Sequence, residues 1–428
     1  MVAAWVALAA TVAGCSVFAP SKRPVPFEPP TARRLAPSDD PAGFTQPGMP
    51  SGVPVTSDVG MRPPQNILVM SGGGSFGAFT AGVLAGWTKS GTRPEFDVVT
   101  GISTGSLLAP FAFIGPDYDH RAKHFYTNTK AEDIFTVRSW LTLPFRSSVA
   151  SSAPLRRLIE AEIDQTLMER IAAEHRKGRR LYVGTTNIDT KRLAVWDLGA
   201  IACRPCPEGC TLFRDVLLAS CSIPGMFPPV TFEIDVDGKQ ATEMHVDGGV
   251  SAQLFCPSAV FSAAATRQHE GANLYIVVAG KLYPDAKAVR ERVLPVLAAT
   301  TSSHVYSHRR GELTNMYGLA RSAGMRYHLS AVRQEFRTAD LAIKFDQQEM
   351  GRLYQEGFER GGSPQSWMAT PPELAPGDGD YIRNGLHLRP AGRTDAVGEV
   401  VSSQLSVVSQ TARRRTAVGR LVAGLADN

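Results

Sequence analysis

Apolar and polar residues follow two different periods between residues 66 and 362, and the two periods alternate along the chain. Short β-branched runs predict strands, and segments with an apolar residue every three to four positions predict helices. The strands are expected near 66–70, 96–100, 180–187, 193–197, 241–246, 273–279 and 325–330. The helices are expected near 78–89, 104–113, 152–175, 212–219, 286–315 and 345–360. This alternation predicts an α/β fold with a mainly parallel central sheet flanked by helices.

The chain on either side of residues 65–362 lacks this period. Residues 15–64 contain 12 of the 30 prolines, which predicts an extended, Pro-rich tether. Residues 363–428 form a loop-rich, partly basic tail. Apolar residues at 418, 421, 422 and 425 follow three arginines at helical spacing. They indicate either a short amphipathic helix on anionic lipid or a terminal helix that packs on the body or frays in solvent.

The N-terminus predicts export. The stretch "MVAAWVALAATVAGC" is a short apolar segment that ends in small residues at a cysteine, as a secretory signal does. Its "VAGC" resembles a bacterial lipobox, which implies removal of residues 1–14, lipidation of Cys15 and an outer-membrane location facing the periplasm. No Lys or Arg precedes the apolar run, which departs from the usual signal. The alternative is a buried N-terminal helix, which lacks a cap and runs into prolines.

Composition narrows the class of protein. The 428 residues are 43% hydrophobic and 20% charged, which is typical of a globular chain with a large core. The net charge of +5 is the difference between 45 Lys and Arg and 40 Asp and Glu, and the basic residues are spread along the sequence, so nucleic acid is not an expected partner. No stretch is long and apolar enough to span a bilayer.

Two glycine-containing turns indicate chemistry. "SGGGSFGAF" (71–79) follows the first expected strand, and the second strand leads into a G-x-S-x-G pentad formed by Gly101, Ser103 and Gly105. A strand, this pentad and an apolar helix are the context of a nucleophile elbow, which exposes the serine. Loops that follow two parallel strands of a βαβ unit leave the same edge of the sheet. Backbone N–H groups near Gly73 and Gly74 can therefore point at an oxyanion formed at Ser103.

Other anions fit the glycine-rich turn less well. A dinucleotide site requires an acidic residue at the end of the second strand, where this chain has Thr100, Gly101 and Ser103. A P-loop requires a lysine after the glycines, and none follows.

A base for Ser103 is expected at "EMHVDGGVSA" (243–252), where Asp247 ends a strand and two glycines leave its carboxylate accessible. His245 shares that face and is either a sheet histidine or part of the site. "LLASCSIPGMFPPV" (217–230) suits the wall of an apolar cleft or plain core. The alternative to a two-residue site is a Ser, Asp, His triad in that chain order. Its histidine would be one of His269, His304, His308, His328 and His387.

The motifs together resemble the patatin-like phospholipase family. G-G-G-x-x-G, G-x-S-x-G, A-S-x-x-I-P-G-x-F-P-P and D-G-G occur in the family's order over residues 66–247. The resemblance implies a three-layer fold extending to residue 362 and a Ser103–Asp247 dyad with Gly72, Gly73 and Gly74 as the oxyanion loop. It further implies lipid acyl hydrolysis through an acyl-enzyme, with a phospholipid or other acyl ester as substrate and without metal or organic cofactor.

The resemblance has one departure, because many members carry an arginine in the glycine loop where this chain has Phe76. A protein that keeps this fold only to bind lipid or to scaffold the envelope is the alternative of a different class. The intact motifs disfavour it.

A cysteine cluster, "CRPCPEGC", places Cys203, Cys206 and Cys210 close together. It is half of a four-ligand zinc site with no nearby histidine to complete it. In an exported chain, a disulfide between two of the three is the favoured interpretation. With Cys221 and Cys256, five cysteines remain after lipidation, so at least one is unpaired or joined to another chain.

Overall fold

The structure is a computed structural model that describes residues 65–139, 146–236, 239–261, 270–337 and 344–374. The signal segment 1–14, Cys15, the tether and the apolar positions of the tail lie outside these ranges, as do His269 and His387. Every strand and helix below belongs to one compact unit. The described residues 286–290 belong to a second unit and are irregular. In the described ranges, no helix combines the length and the apolarity that crossing a bilayer requires.

Ten strands occur in the described residues. They are β1 (Asn66–Met70), β2 (Val98–Ile102), β3 (Thr136–Val137), β4 (Ala150–Ser151), β5 (Arg180–Asn187), β6 (Arg192–Asp197), β7 (Val230–Val236), β8 (Lys239–Asp247), β9 (Asn273–Val278) and β10 (Arg326–Ala331). Eight of them form one sheet in the order β10-β9-β1-β2-β5-β8-β7, with β6 also paired to β5. The first five strands in that order are parallel, whereas β6, β7 and β8 are antiparallel to their neighbours. The expectation of a mainly parallel sheet is confirmed.

Helices cover both faces of this sheet. They are α1 (Gly77–Lys89), α2 (Thr104–Ile114), α3 (Asp119–Thr127), α4 (Ala131–Ile134), α5 (Ala153–Glu162), α6 (Gln165–Arg176), α7 (Leu198–Ala202), α8 (Glu208–Ser220), α9 (Val293–Ser322) and α10 (Gln347–Gly361). Along β1, Leu68 and Met70 join the larger core cluster, whereas Ile67 and Val69 join a second cluster with α9. This alternation is the period of a strand buried on both faces. The other helices all contribute to the larger cluster.

The structure divides one expected helix. The segment expected as a single helix over 152–175 is α5 followed by α6. Asp164 separates them, because its carboxylate accepts the Leu167 N–H at 2.8 Å and so caps a new helix. Five short elements were not expected, namely α3, α4, α7, β3 and β4, and the longest of them, α3, has nine residues. Helix α9 begins seven residues later than expected, at Val293, and extends to Ser322.

Helices α1 and α10 approach each other at backbone distance. A Cβ built on Gly82 would lie 2.1 Å from the carbonyl oxygen of Tyr354, and one on Gly361 would lie 2.0 Å from that of Val83. Only glycine fits at such distances. The helix that follows the glycine loop is therefore held by a helix about 270 residues later in the chain. The entropic cost of closing so long a loop grows only slowly with its length, and burial of both helices in one core offsets it.

Candidate active site

Ser103 occupies the sharp turn between β2 and α2. Its backbone has φ 52° and ψ −120°, a conformation that costs a non-glycine residue about 1–3 kcal/mol. The flanking glycines leave room for the turn. A Cβ on Gly101 would lie 2.4 Å from the carbonyl oxygen of Gly105, and one on Gly105 would lie 2.5 Å from that of Met70. The pentad thus forms a strand-turn-helix elbow with a serine at its apex.

Neighbouring side chains hold the Ser103 backbone in this conformation. Its N–H donates to Ser220 Oγ at 2.9 Å, and Ser220 Oγ donates onward to the carbonyl oxygen of Gly184 at 2.8 Å. Its carbonyl oxygen accepts from Ser106 Oγ at 2.6 Å and from Cys221 Sγ at 3.3 Å. The strained turn is therefore fixed from α2 and from the end of α8.

Sheet register brings Asp247 to this elbow. β2 and β8 lie on either side of β5, and Asp247 pairs with Thr185 near the end of their shared ladder. Ser103 Oγ donates to Asp247 Oδ2 at 2.6 Å. The second carboxylate oxygen, Oδ1, accepts the Gly249 N–H at 2.7 Å. The serine hydroxyl and the carboxylate thus form one hydrogen-bonded pair.

Burial changes the acidity of this pair. Ser103 is 9% exposed and Asp247 is 6% exposed. Burial raises the pKa of Asp247 to about 6, although the hydrogen bonds from Ser103 and Gly249 lower it. Burial and the Asp247 charge also raise the pKa of the Cys221 thiol. At neutral pH the Asp247 carboxylate is mostly ionised, and it is a stronger base than an exposed aspartate.

The glycine loop lies beside Ser103, since a Cβ on Gly72 would lie 3.1 Å from the Ser103 Cβ. The Gly72 N–H donates to the carbonyl oxygen of Gln253 at 3.2 Å. That N–H is therefore occupied by a backbone acceptor. The N–H groups of Gly73 and Gly74 have no acceptor within the described ranges.

The backbone of this loop requires glycine. A Cβ on Gly73 would lie 2.1 Å from the carbonyl oxygen of Ala279, and Gly74 has φ 58°. The Gly74 carbonyl oxygen accepts from Thr104 Oγ1 at 2.9 Å, which ties the loop to the first residue of α2. The two free N–H groups are thus held in place at the edge where Ser103 lies.

An apolar cleft opens at Ser103 and encloses about 490 Å³, including space open to solvent. Segment 217–230, expected either to wall such a cleft or to fill the core, lines it with four residues. The described lining consists of Gly74, Ser103, Thr104, Leu107, Phe125, Tyr126, Ile134, Phe135, Leu155, Cys221, Ile223, Met226, Phe227 and Phe345. An apolar cleft with a few polar groups at one end is typical of a site for a largely hydrocarbon ligand.

A known family model matches the part of the chain that contains this arrangement. The family model of patatin-like phospholipases matches residues 68–260, a range that contains the glycine loop, Ser103 and Asp247. The chain carries a patatin-like phospholipase domain. No sequence among the curated proteins matches the chain. The crystal structure of VipD from Legionella pneumophila is similar at a TM-score of 0.36 and 11% identity. The match covers 70% of this chain and 66% of that one, just under two thirds.

The described histidines of the patatin-like domain have other partners. Nδ1 of His245 lies 2.8 Å from Thr185 Oγ1, and its Nε2 lies 3.2 Å from the Glu243 carboxylate. His304 stacks on His308, which faces Glu312, and His328 stacks on Tyr275. Among the described residues, no histidine hydrogen-bonds to Ser103 or Asp247.

The cysteine cluster and Phe76 lie in the same domain. Cys206 and Cys210 form a disulfide, and Cys203 is free and exposed. Cys221 and Cys256 are free and buried. Phe76 is partly buried against the larger core cluster, so the position where many family members carry an arginine provides packing here.

Sequence reasoning missed several residues that hold the patatin-like site in place. Ser106 and Ser220 bind the elbow backbone, and Gln253 binds the glycine loop. Ser220 belongs to the A-S-x-x-I-P-G motif, so its position next to a recognised motif could have indicated its role. Gln253 acts partly through its backbone carbonyl, for which the residue type gives no indication.

Proposed function

We propose that this protein is a lipid acyl hydrolase of the phospholipase A or lysophospholipase type, with Ser103 as nucleophile and Asp247 as its base. One observation carries the proposal. A serine hydroxyl at a strained elbow donates at 2.6 Å to a buried carboxylate, with no described histidine between them. A nucleophile in direct hydrogen-bond reach of its base is the arrangement that covalent catalysis requires.

The proposed reaction proceeds through an acyl-enzyme. Asp247 Oδ2 takes the Ser103 proton while Oγ attacks the ester carbonyl carbon, and the N–H groups of Gly73 and Gly74 donate to the resulting oxyanion. The intermediate collapses, and the leaving alcohol takes the proton from Asp247. Water then gives a proton to Asp247 and attacks the acyl carbon, which releases the fatty acid and returns the proton to Ser103 Oγ.

The raised pKa of Asp247 suits this role. A pKa of about 6 leaves the carboxylate ionised at neutral pH and strengthens it as a proton acceptor. The apolar cleft supports a substrate whose acyl chain lies beside Leu107, Leu155 and Phe227. Two to three methylene groups buried there would contribute about 2 kcal/mol to binding.

We further propose that the mature chain is held in the cell envelope through a lipid on Cys15, facing its phospholipid substrate at the outer membrane. The "VAGC" sequence and the Pro-rich segment behind it support this location. Cys15→Ser should move the protein from the membrane to the soluble fraction on cell fractionation. Retention of the variant in the membrane fraction would contradict lipid anchoring at this residue.

The function is tested with the full chain in mixed micelles against phospholipids, lysophospholipids and short p-nitrophenyl esters, with fatty acid release as the readout. Ser103→Ala should abolish turnover, and Ser322→Ala, at the exposed end of α9, should not. A folded wild-type protein that binds lipid vesicles yet hydrolyses none of these substrates would instead support the lipid-binding alternative.

A further inference from the structure

Gln253 contacts both halves of the site from the side of the sheet opposite the cleft. Its carbonyl oxygen accepts the Gly72 N–H at 3.2 Å, which fixes the glycine loop. Its side-chain amide nitrogen, Nε2, donates to the carbonyl oxygen of Gly249. The N–H of that same Gly249 donates to Asp247 Oδ1 at 2.7 Å. One residue thus links the turn that holds the carboxylate to the loop that holds the free N–H groups.

Two ionisable residues of α9 hold Gln253 itself. The Glu312 carboxylate accepts the Gln253 N–H at 3.1 Å and the Leu254 N–H at 3.3 Å. Arg309, which is 6% exposed, approaches Gln253 Oε1 and the Lys281 carbonyl oxygen, each at 3.4 Å. Burial raises the pKa of the Glu312 carboxyl to about 8 and lowers the pKa of the Arg309 guanidinium, because burying either charge is costly. Both of these side chains contact the same residue, Gln253.

The network also reaches the glycine loop by a second route. Lys281 follows the end of β9, and Ala279, two residues earlier, limits the space at Gly73. The Ala279 N–H donates to Ser71 Oγ at 2.9 Å. Arg309 therefore bridges Gln253 to the chain segment that packs on the other end of the same loop.

We propose that Gln253 is a positioning residue that keeps the Asp247 turn and the oxyanion loop in register, with Glu312 and Arg309 as its supports. The inference rests on the proposed function and adds a residue to the machinery outside the family's motifs. Displacement of catalytic groups by about 1 Å can cost on the order of 100-fold in rate. Gln253 itself does not line the cleft, so KM should stay close to its wild-type value.

The test compares two variants of nearly equal size in the full chain. Gln253→Met removes both side-chain hydrogen bonds, whereas Gln253→Glu removes the donor to Gly249 and keeps an acceptor for Arg309. Both should lower kcat on the order of 10-fold to 100-fold with KM unchanged. If Gln253→Met fails to fold, Gln253→Glu still tests the effect on kcat of losing the hydrogen bond to Gly249.

A second readout separates positioning from general stability. The Gly249 N–H lowers the pKa of Asp247, so loosening that turn should move the acidic limb of kcat/KM to higher pH. The groups that face Asp247 are Ser103 on the elbow, Gly249 on its own turn and the Cys221 thiol at the end of α8. No charged side chain in the described ranges forms an ion pair with it. The limb therefore reports on the carboxylate, and it is read in Gln253→Met, which adds no charge near Asp247.

Asn273→Leu is the matched control. It removes a side-chain amide hydrogen bond to Asn66 at the opposite edge of the sheet, and should lower the melting temperature without moving the acidic limb. Folded Gln253 variants with wild-type kcat and an unmoved limb would overturn the inference and leave the proposed function intact. If the wild-type protein shows no turnover that the Ser103→Ala substitution abolishes, the proposed function is overturned, and the inference with it.

Discussion

The buried charge of Asp247 should make the wild-type protein less stable than an inactive variant. Asp247→Asn keeps the size of the side chain and both of its hydrogen bonds, because the amide oxygen can accept the Gly249 N–H and the amide nitrogen can donate to Ser103 Oγ. Only the buried negative charge is lost. A carboxylate held for its reactivity is a recognised source of instability at functional sites.

The magnitude follows from the acidity of the folded and unfolded chains. The carboxyl has an ordinary pKa of 3.8 and a folded pKa of about 6. Between these values the folded state binds more protons than the unfolded state, so wild-type stability falls as pH rises. A difference of about two pKa units corresponds to about 3 kcal/mol. Asp247→Asn should therefore be more stable than wild type by up to about 3 kcal/mol at pH 8, and this gain should vanish below about pH 4.

Urea denaturation of both proteins from pH 4 to pH 8, followed by circular dichroism, measures this difference. The gain of Asp247→Asn should grow between about pH 4 and pH 6 and then stay constant. Asp346→Asn, which keeps the N-cap of α10 on an exposed residue, controls for the chemical change. A stability difference that does not vary over this range would refute the claim that burial makes the Asp247 charge costly.

Substitutions around the elbow separate the roles of its parts. Gly73→Ala would place a Cβ 2.1 Å from the Ala279 carbonyl, so kcat should fall on the order of 100-fold to 1000-fold; normal turnover by the folded variant would remove this loop from the site. Ser103→Ala and Asp247→Asn should each abolish most turnover, and their combination should be little worse, whereas additive losses would show separate roles. The value of kcat/KM should fall below about pH 6 and keep that profile in His245→Gln; a profile that moves with this histidine would favour a triad.

Much of the fold could be predicted because its signals are local. Strands β1 and β9 have continuous apolar runs, helix α10 keeps a clear apolar period, and α1 and α2 are mainly apolar segments buried along most of their length, so each lies within a few residues of its expected range. Strand β7 was missed although "VTFEIDV" alternates apolar and polar residues, as a strand with one exposed face does. Its pairing with β8 depends on tertiary contacts that a window of sequence does not show.

The site was predictable to the level of its motifs. Ser103 and Asp247 stand in turns whose glycines indicate tight geometry, and the structure brings the two together. The Gly72 N–H and its acceptor, the Gln253 carbonyl oxygen, are backbone groups. Every residue type has these groups, so the sequence does not indicate which of them are occupied.

The contact between α1 and α10 changes where this chain can be divided. The family match ends at residue 260, yet the glycines of residues 347–361 lie against the backbone of the helix that continues from the oxyanion loop. A version of the chain shortened to the matched range would leave Gly82 and Gly86 facing solvent, with no side chains of their own to cover the groove. Transplanting the domain into another protein therefore requires the whole span through Gly361. The segment that carries the motifs is therefore shorter than the span that keeps the contact between α1 and α10.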